Sequence, residues 1–169
     1  MDAKGSLERL TALIEQAKHA QDLQELKDKF ALYWSMATLH SGHNFEQLSE
    51  FQSEFAVVSI NTALRLAWAE TAKRYRLKLP KGTIAGLFIL GLGKLGGRDL
   101  NFSSDVDLIG FYNPDILPVP KTLGQAHICS KVLQAMTQIL NPRNAPDFIW
   151  RVDWRLRPES SGTGLAMST

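Results

Sequence analysis

The chain is poor in cysteine, because Cys129 is the single thiol among 169 residues. One cysteine excludes an internal disulfide framework and a multi-cysteine zinc site. A lone free thiol suits a reducing compartment. The first five residues lack the basic segment and apolar core of a signal peptide. We therefore expect a cytoplasmic protein.

An excess of charge of one sign and long apolar runs are also missing. The 19 lysines and arginines against 17 aspartates and glutamates leave a net charge of +2, which gives no electrostatic footprint for nucleic acid. No run approaches the roughly 18 uncharged apolar residues that a membrane-spanning helix needs. We expect neither nucleic acid nor a membrane as partner. The hydrophobic fraction of 44% and the charged fraction of 21% are typical of a globular domain.

The first part of the chain carries apolar residues at spacings of three and four, which predicts helices. One predicted helix covers residues 7–17. A second begins near Asp22, which together with Glu25 resembles a capping box. A third covers residues 45–77 without interruption and ends before Pro80.

After Pro80 the pattern changes to short apolar runs separated by glycine and proline, which predicts strands. The predicted strands are residues 84–90, 106–112 and 148–155, the predicted helix is 122–140, and residues 158–169 are predicted to form a loop. Helices followed by a small mixed or antiparallel sheet with a packed helix predict an α+β fold. We divide the chain into a helical segment, residues 1–80, and a sheet-bearing core, residues 81–169.

A glycine-rich turn from Gly91 to Gly97 follows the first predicted strand. Glycines let backbone N–H groups approach a phosphate closely, because no Cβ intervenes. The pattern Gly91-x-Gly93-x-x-Gly96 also matches the dinucleotide-binding fingerprint. That fingerprint requires a long crossover to a parallel strand, whereas only seven residues separate Gly97 from Asp105. We expect the second strand to return antiparallel.

Two aspartates, Asp105 and Asp107, flank Val106 in the second predicted strand. Alternate residues of a strand face the same side, so these carboxylates project together, about 7 Å apart. Mg²⁺ prefers such hard oxygen ligands. Asp153 and Arg155 share a polar face of the third predicted strand. If that strand pairs beside the second, Asp153 completes a three-carboxylate site suited to phosphoryl or nucleotidyl transfer.

The same residues have plainer interpretations. Two aspartates at the end of a strand can simply be solvated. Asp153 can form a salt bridge with Arg151 or Arg155, and Ser103 and Ser104 can cap the turn. Local sequence does not decide between these interpretations and a catalytic site.

A family resemblance favours the catalytic interpretation. Two glycines, seven residues and Asp-Val-Asp-Leu resemble the signature of the polymerase-β-like nucleotidyltransferase superfamily. Residues 91–109, together with Arg-Val-Asp-Trp-Arg-Leu-Arg-Pro at 151–158, look like glutamine synthetase adenylyltransferase. Enzymes of that family carry two catalytic domains. The N-terminal one removes AMP from a tyrosine of glutamine synthetase by phosphorolysis, releasing ADP, and the C-terminal one attaches AMP from ATP. Residues 100–105 and 151–158 are more similar to the N-terminal type.

This resemblance implies roles for individual residues. Asp105, Asp107 and Asp153 would be the catalytic, metal-binding carboxylates, with two Mg²⁺ ions expected. Asp153 would bind metal or activate the attacking oxygen. Contacts to the phosphate or nucleotide would come from Gly96, Gly97, Ser104, Lys94, Arg155 and Arg157. The implied nucleotides are ATP, ADP and AMP.

The resemblance also implies partners and leaves alternatives open. Glutamine synthetase is the implied partner, and the PII signalling protein would act through regions outside this chain. Members of the family have many hundreds of residues, so we expect this chain to be either a piece of a longer enzyme or an unusually short relative. The alternatives are adenylylation of glutamine synthetase from ATP, binding without turnover, and transfer to another acceptor such as a small molecule or RNA.

Overall fold

The computed structural model describes residues 3–40, 44–78, 84–143, 147–155 and 164–169. Its helices are α1 (Ala3–Glu15), α2 (Ala20–His40), α3 (Phe45–Tyr75), α4 (Gly93–Gly96) and α5 (Gln125–Leu140), with a 3₁₀ turn at Lys121–Leu123. Its strands are β1 (Leu87–Gly91), β2 (Val106–Tyr112), β3 (Val152–Asp153) and β4 (Ala166–Ser168). The α+β prediction with N-terminal helices is confirmed. In the described ranges, no helix has the length and apolarity to cross a membrane.

The longest helix, α3, is continuous from Phe45 to Tyr75, as predicted. It begins at Asn44, whose side chain accepts a hydrogen bond from the Gln47 amide at 2.9 Å. The Gln47 side chain accepts one from the Asn44 amide at 3.2 Å, which completes a capping box. The helix ends at Arg76, which adopts the left-handed conformation with φ 55°. Pro80, the predicted terminator, lies outside the described residues.

Helix α2 begins earlier than predicted. Asp22 lies inside its first turn, because the helix starts at Ala20. The Asp22 carboxylate accepts hydrogen bonds from the amides of Lys18 at 2.8 Å and His19 at 2.9 Å. These bonds favour the charged form and lower the pKa of Asp22. The capping box predicted from Asp22 and Glu25 is therefore wrong. In a capping box the Asp22 side chain would accept from the amide of Glu25, whereas it accepts from the amides of two residues that precede it.

The sheet is mixed and is built around β2. Strand β1 pairs antiparallel with β2 over the full length of β1. This confirms the predicted antiparallel return and excludes the parallel crossover of a dinucleotide-binding unit. Strand β3 pairs in parallel with the first residues of β2, and β4 pairs in parallel with the last.

The C-terminal strands differ from their prediction. The predicted strand 148–155 is reduced to Val152–Asp153. The amides of Ile149 and Trp150 donate to the Leu140 carbonyl at 2.8 and 3.0 Å, so the end of α5 holds them instead of the sheet. Ala166–Ser168 forms β4 where a loop was predicted. Its partner is the end of β2, about 55 residues earlier in the chain, a distance over which local sequence carries no signal.

A continuous buried cluster joins the helices to the sheet. Helix α3 packs against α5, and α5 covers the sheet, where the Leu133 side chain fills the space beside Gly110 of β2. The indole N–H of Trp150 donates to Ser59 Oγ of α3 at 2.8 Å. Cys129 is fully buried, which raises the pKa of its thiol to about 12 and makes it inert as a nucleophile.

Leu133→Ala is expected to destabilise the protein strongly. Leu133 is fully buried between α5 and β2. Its truncation should lower the free energy of unfolding by about 2–5 kcal/mol, measured by urea denaturation. The matched control, Leu39→Ala, changes a side chain that is 76% exposed and should stay within about 0.5 kcal/mol of the parent chain. Equal losses from the two variants would contradict this packing.

Candidate active site

Asp107 and Asp153 occupy directly paired positions on the parallel strands β2 and β3. Paired residues of neighbouring strands lie about 5 Å apart and project from the same face of the sheet. Asp105 immediately precedes β2 and is exposed. The residues that alternate with these aspartates, Val106 and Leu108, are buried. The fold therefore places Asp107 and Asp153 side by side, with Asp105 two residues before Asp107 in the chain.

An arginine neutralises the first of these carboxylates. Arg151, which precedes β3, forms an ion pair from its Nε to Asp105 Oδ1. Its Nη2 donates to the Ser103 carbonyl at 2.7 Å. Arg151 thus holds both the Asp105 side chain and the loop before it.

A second arginine, Arg155, pairs with Asp153. Arg155 Nε lies 3.0 Å from Asp153 Oδ1 and 2.8 Å from Oδ2, and Nη2 lies 2.5 Å from Oδ2. Its side-chain hydrogen bonds lower the pKa of Asp153. In return, Asp153 above all, and then the charges of Asp107 and Asp105, raise the pKa of Arg155. The salt bridge considered for Asp153 is therefore present, and Arg155 makes it.

The carboxylates fit a divalent cation by chemistry but do not converge on one point. Within the described ranges, no three side chains among His, Cys, Asp and Glu are grouped to hold a metal ion. The sheet juxtaposes Asp107 and Asp153, whereas Asp105 is directed to Arg151. Mg²⁺ prefers hard oxygen ligands such as these carboxylates. Two of the carboxylates already pair with a guanidinium group. In this structure Arg151 pairs with Asp105 and Arg155 pairs with Asp153.

The glycine turn lies directly against Asp107. The Leu92 amide donates to the Asp107 carbonyl at 2.9 Å. Gly93 has φ +54°, and a Cβ there would lie 2.8 Å from Asp107 Oδ2. Only glycine permits this approach without strain. The turn and the carboxylate are therefore parts of one site.

Gly96 and Gly97 have their amides engaged inside the turn. Their N–H groups donate to the carbonyls of Leu92 at 3.1 Å and Gly93 at 3.0 Å, forming the single helical turn α4. A Cβ at Gly96 would lie 2.7 Å from the Gly91 carbonyl oxygen, whereas a Cβ at Gly97 would make only ordinary contacts. In this conformation the requirement for glycine at position 96 is steric.

Helix α3 supports the far side of the turn. Arg98 lies 3.7 Å from a carboxylate oxygen of Glu50 and 3.4 Å from one of Glu54. The Leu100 amide donates to Ser53 Oγ at 3.2 Å, and the Leu100 side chain is fully buried. The helical segment thus fixes the position of the glycine turn.

The remaining predicted site residues are Lys94, Ser104 and Arg157. Lys94 is exposed on α4. Ser104 is half-buried and its amide donates to the Asn101 carbonyl at 3.1 Å, which is a turn contact. Arg157 lies outside the described residues.

The family profile of glutamate-ammonia ligase adenylyltransferase matches residues 3–169. The chain belongs to this family. This confirms the resemblance drawn from the glycine turn and the aspartate motifs. Three relatives carry the name bifunctional glutamine synthetase adenylyltransferase/adenylyl-removing enzyme.

The relatives are much longer than this chain. The protein from Bradyrhizobium sp. strain BTAi1 is 34% identical over 152 residues, which are 87% of this chain and 15% of the relative. The protein from Rhodopseudomonas palustris strain BisB5 is 30% identical over 164 residues, 95% and 17%. That from Mesorhizobium japonicum strain MAFF 303099 is 31% identical over 178 residues, 95% and 18%. The chain spans less than a fifth of each of these adenylyltransferase relatives.

Two residues of the site were not selected from sequence. Gly93 belongs to the predicted glycine-rich turn, but no specific role is predicted for it, and its signal is the left-handed conformation that such a turn permits. Arg151 was considered only as a partner of Asp153. Its alternation with Asp153 along the strand was visible, but its pairing with Asp105 across 46 residues depends on strand pairing.

Gly96→Ala is expected to distort the turn, because the new Cβ meets a backbone oxygen that cannot rotate away. We expect a loss of about 1–3 kcal/mol in the free energy of unfolding, measured by urea denaturation. The neighbouring Gly97→Ala serves as control and should change it by less than about 0.5 kcal/mol. If the Gly96→Ala chain is as stable as the Gly97→Ala chain, the predicted clash of a Cβ at position 96 with the Gly91 carbonyl oxygen is wrong.

Proposed function

We propose that this chain carries an adenylyl-removing catalytic core, which phosphorolyses the AMP–tyrosine ester on glutamine synthetase and releases ADP. The observation that carries the proposal is the register that pairs Asp107 with Asp153 directly beside the glycine turn. Family membership and the printed names of the relatives support glutamine synthetase as the protein substrate. The similarity of residues 100–105 and 151–158 to the N-terminal domain of the family supports removal of AMP over its addition.

The proposed reaction balances without an oxidant or reductant. An oxygen of inorganic phosphate attacks the phosphorus of the AMP–tyrosine ester, and the new P–O bond makes ADP. The bond from that phosphorus to the tyrosyl oxygen breaks, and the tyrosyl oxygen takes up a proton. Such transfers depend mainly on positioning and charge stabilisation. Bound Mg²⁺ ions would supply Lewis-acid neutralisation of the phosphoryl oxygens.

The chain's own residues would position and neutralise the phosphates. Asp107 and Asp153 would hold Mg²⁺, and Asp105 would join them once Arg151 releases it. Guanidinium groups bind phosphate in the same bidentate manner as carboxylate. Arg151 and Arg155 can therefore exchange their aspartates for phosphate oxygens when the substrate and metal arrive together.

A second candidate function is nucleotide or glutamine synthetase binding without turnover. The two arginine–aspartate pairs favour it, because each engages a carboxylate of the expected metal site with a cation of the chain itself. In that case the chain would bind ADP without producing it. Adenylylation from ATP uses the same groups with the nucleotide as donor, and only an assay separates the two directions.

The test of the proposed function is incubation of adenylylated glutamine synthetase with this chain, inorganic phosphate and Mg²⁺. Formation of ADP with matching loss of AMP from the tyrosine is the expected result. Transfer of AMP from ATP to unmodified glutamine synthetase, without the removal reaction, would assign the opposite direction. Binding of ADP by isothermal titration with neither reaction would assign the binding function instead.

Asp107→Asn should abolish turnover while preserving the fold. Loss of a metal ligand should exceed the roughly 10–100-fold effect of removing an outer-shell partner, so we expect ADP formation to fall by at least about a hundredfold. The control is Asp115→Asn, whose side chain is 81% exposed in a surface pair with Lys121. It should retain full activity. Normal activity and normal Mg²⁺ dependence in Asp107→Asn would disprove the assignment.

A further inference from the structure

A groove of about 670 Å³ lies against α5, on the opposite side of the sheet from the aspartates. Trp154 and Thr137 of α5 both line it, and the Trp154 indole N–H donates to Thr137 Oγ1 at 3.0 Å. Consecutive residues of an extended chain face opposite sides, so Asp153 faces away from α5. Its partner Asp107 does the same, because it lies three residues before Gly110, whose open side is filled by α5. The groove is therefore separate from the candidate active site.

Three cationic side chains line this groove. Arg74 comes from the end of α3, Lys131 from α5, and Arg143 from the segment after α5. Among the described residues, the lining contains no aspartate or glutamate, and the ion pairs of those residues involve none of the three cations. Lys131 Nζ lies 3.3 Å from Gln134 Oε1, which is a neutral acceptor. The groove thus carries positive charge that the described part of the chain does not compensate.

Helix dipoles explain only part of this charge. A cation is favoured in the last turn of a helix, where Arg74 lies together with Lys73. Arg143 follows the end of α5, where the same effect applies. Lys131 lies in the first half of α5, where the dipole does not favour a cation. Like charges that face one groove repel one another unless an anion lies between them.

The size and lining of the groove suit a small molecule. Sites for small molecules have volumes of roughly 300–1,000 Å³ and a mostly apolar lining, with a few charged groups that fix the orientation of the ligand. Ala135, Trp154 and Leu165 supply apolar surface here. Guanidinium groups bind phosphate or carboxylate through two parallel hydrogen bonds, and a lysine adds a point charge. This set of groups is complementary to a compact anion with more than one negative charge.

We propose that this groove binds a small anion with two or more negative charges, held by Lys131 together with Arg74 and Arg143. Phosphate and carboxylate groups share the chemistry that these cations recognise. The inference goes beyond the proposed function, because the three aspartates and Mg²⁺ take no part in it.

The experiment is isothermal titration of the intact chain with inorganic pyrophosphate and, separately, with citrate. Divalent metal ions are left out, and the ionic strength is held constant so that charge screening is equal. Saturable binding of one or both anions is the expected result, and the tighter one identifies the ligand as a phosphate or a carboxylate. Lys131→Gln and Arg143→Gln should each weaken that anion about tenfold, as expected for the loss of one charged hydrogen bond.

Two control variants remove the same charge elsewhere. Lys73→Gln changes the last turn of α3, beside Arg74, at an exposed residue that does not line the groove. Arg155→Gln changes the candidate active site. Both should bind the anion as tightly as the parent chain does.

Three results would overturn the anion site. The first is that neither anion binds, including the case in which a hexaglutamate peptide binds instead and assigns the groove to an acidic protein. The second is that Lys73→Gln weakens binding as much as Lys131→Gln, which would show a diffuse effect of net charge. The third is that binding depends on Arg155 and not on Lys131 or Arg143. Formation of ADP from adenylylated glutamine synthetase bears only on the proposed function, so the two can fail independently.

Discussion

Pairing of β3 alongside the start of β2 is the constraint on which the rest of the site depends. It places two carboxylates, Asp107 and Asp153, at adjacent positions of one sheet face, and a third at the start of the same strand. Like charges at such separations raise one another's energy unless a cation is present. The protein supplies two cations of its own, Arg151 and Arg155, from the residues that flank β3. Residues 151–155 therefore contain one carboxylate of the site, Asp153, and both arginines that pair with the carboxylates.

Helix α3 connects this charged face to the remainder of the molecule. Ser53 holds the segment after the glycine turn, and Ser59 holds the indole of Trp150. Because one rigid helix makes both contacts, the turn and the start of β3 are fixed relative to each other. The N-terminal helices thus have a direct part in forming the site.

The arginine pairs give the candidate site two states in the proposed reaction. In this structure Asp105 pairs with Arg151, and Asp153 pairs with Arg155. Binding of a nucleotide phosphate with a divalent ion would transfer the arginines to the phosphate and the carboxylates to the metal. In that exchange each charged group would keep a partner of opposite charge.

The sequence alone determined the helices, the antiparallel return after the glycine turn and the three aspartates. These features depend on local periodicity, on a loop of seven residues and on alternation along a strand. The tertiary structure decided that β3 is only two residues long, that Ala166–Ser168 forms a strand, and that Arg151 binds Asp105. The short β3 depends on the hydrogen bonds of Ile149 and Trp150 to Leu140. The other two outcomes depend on contacts between residues about 45 or more positions apart. Spacing within a segment carries no information about which distant segment will lie next to it.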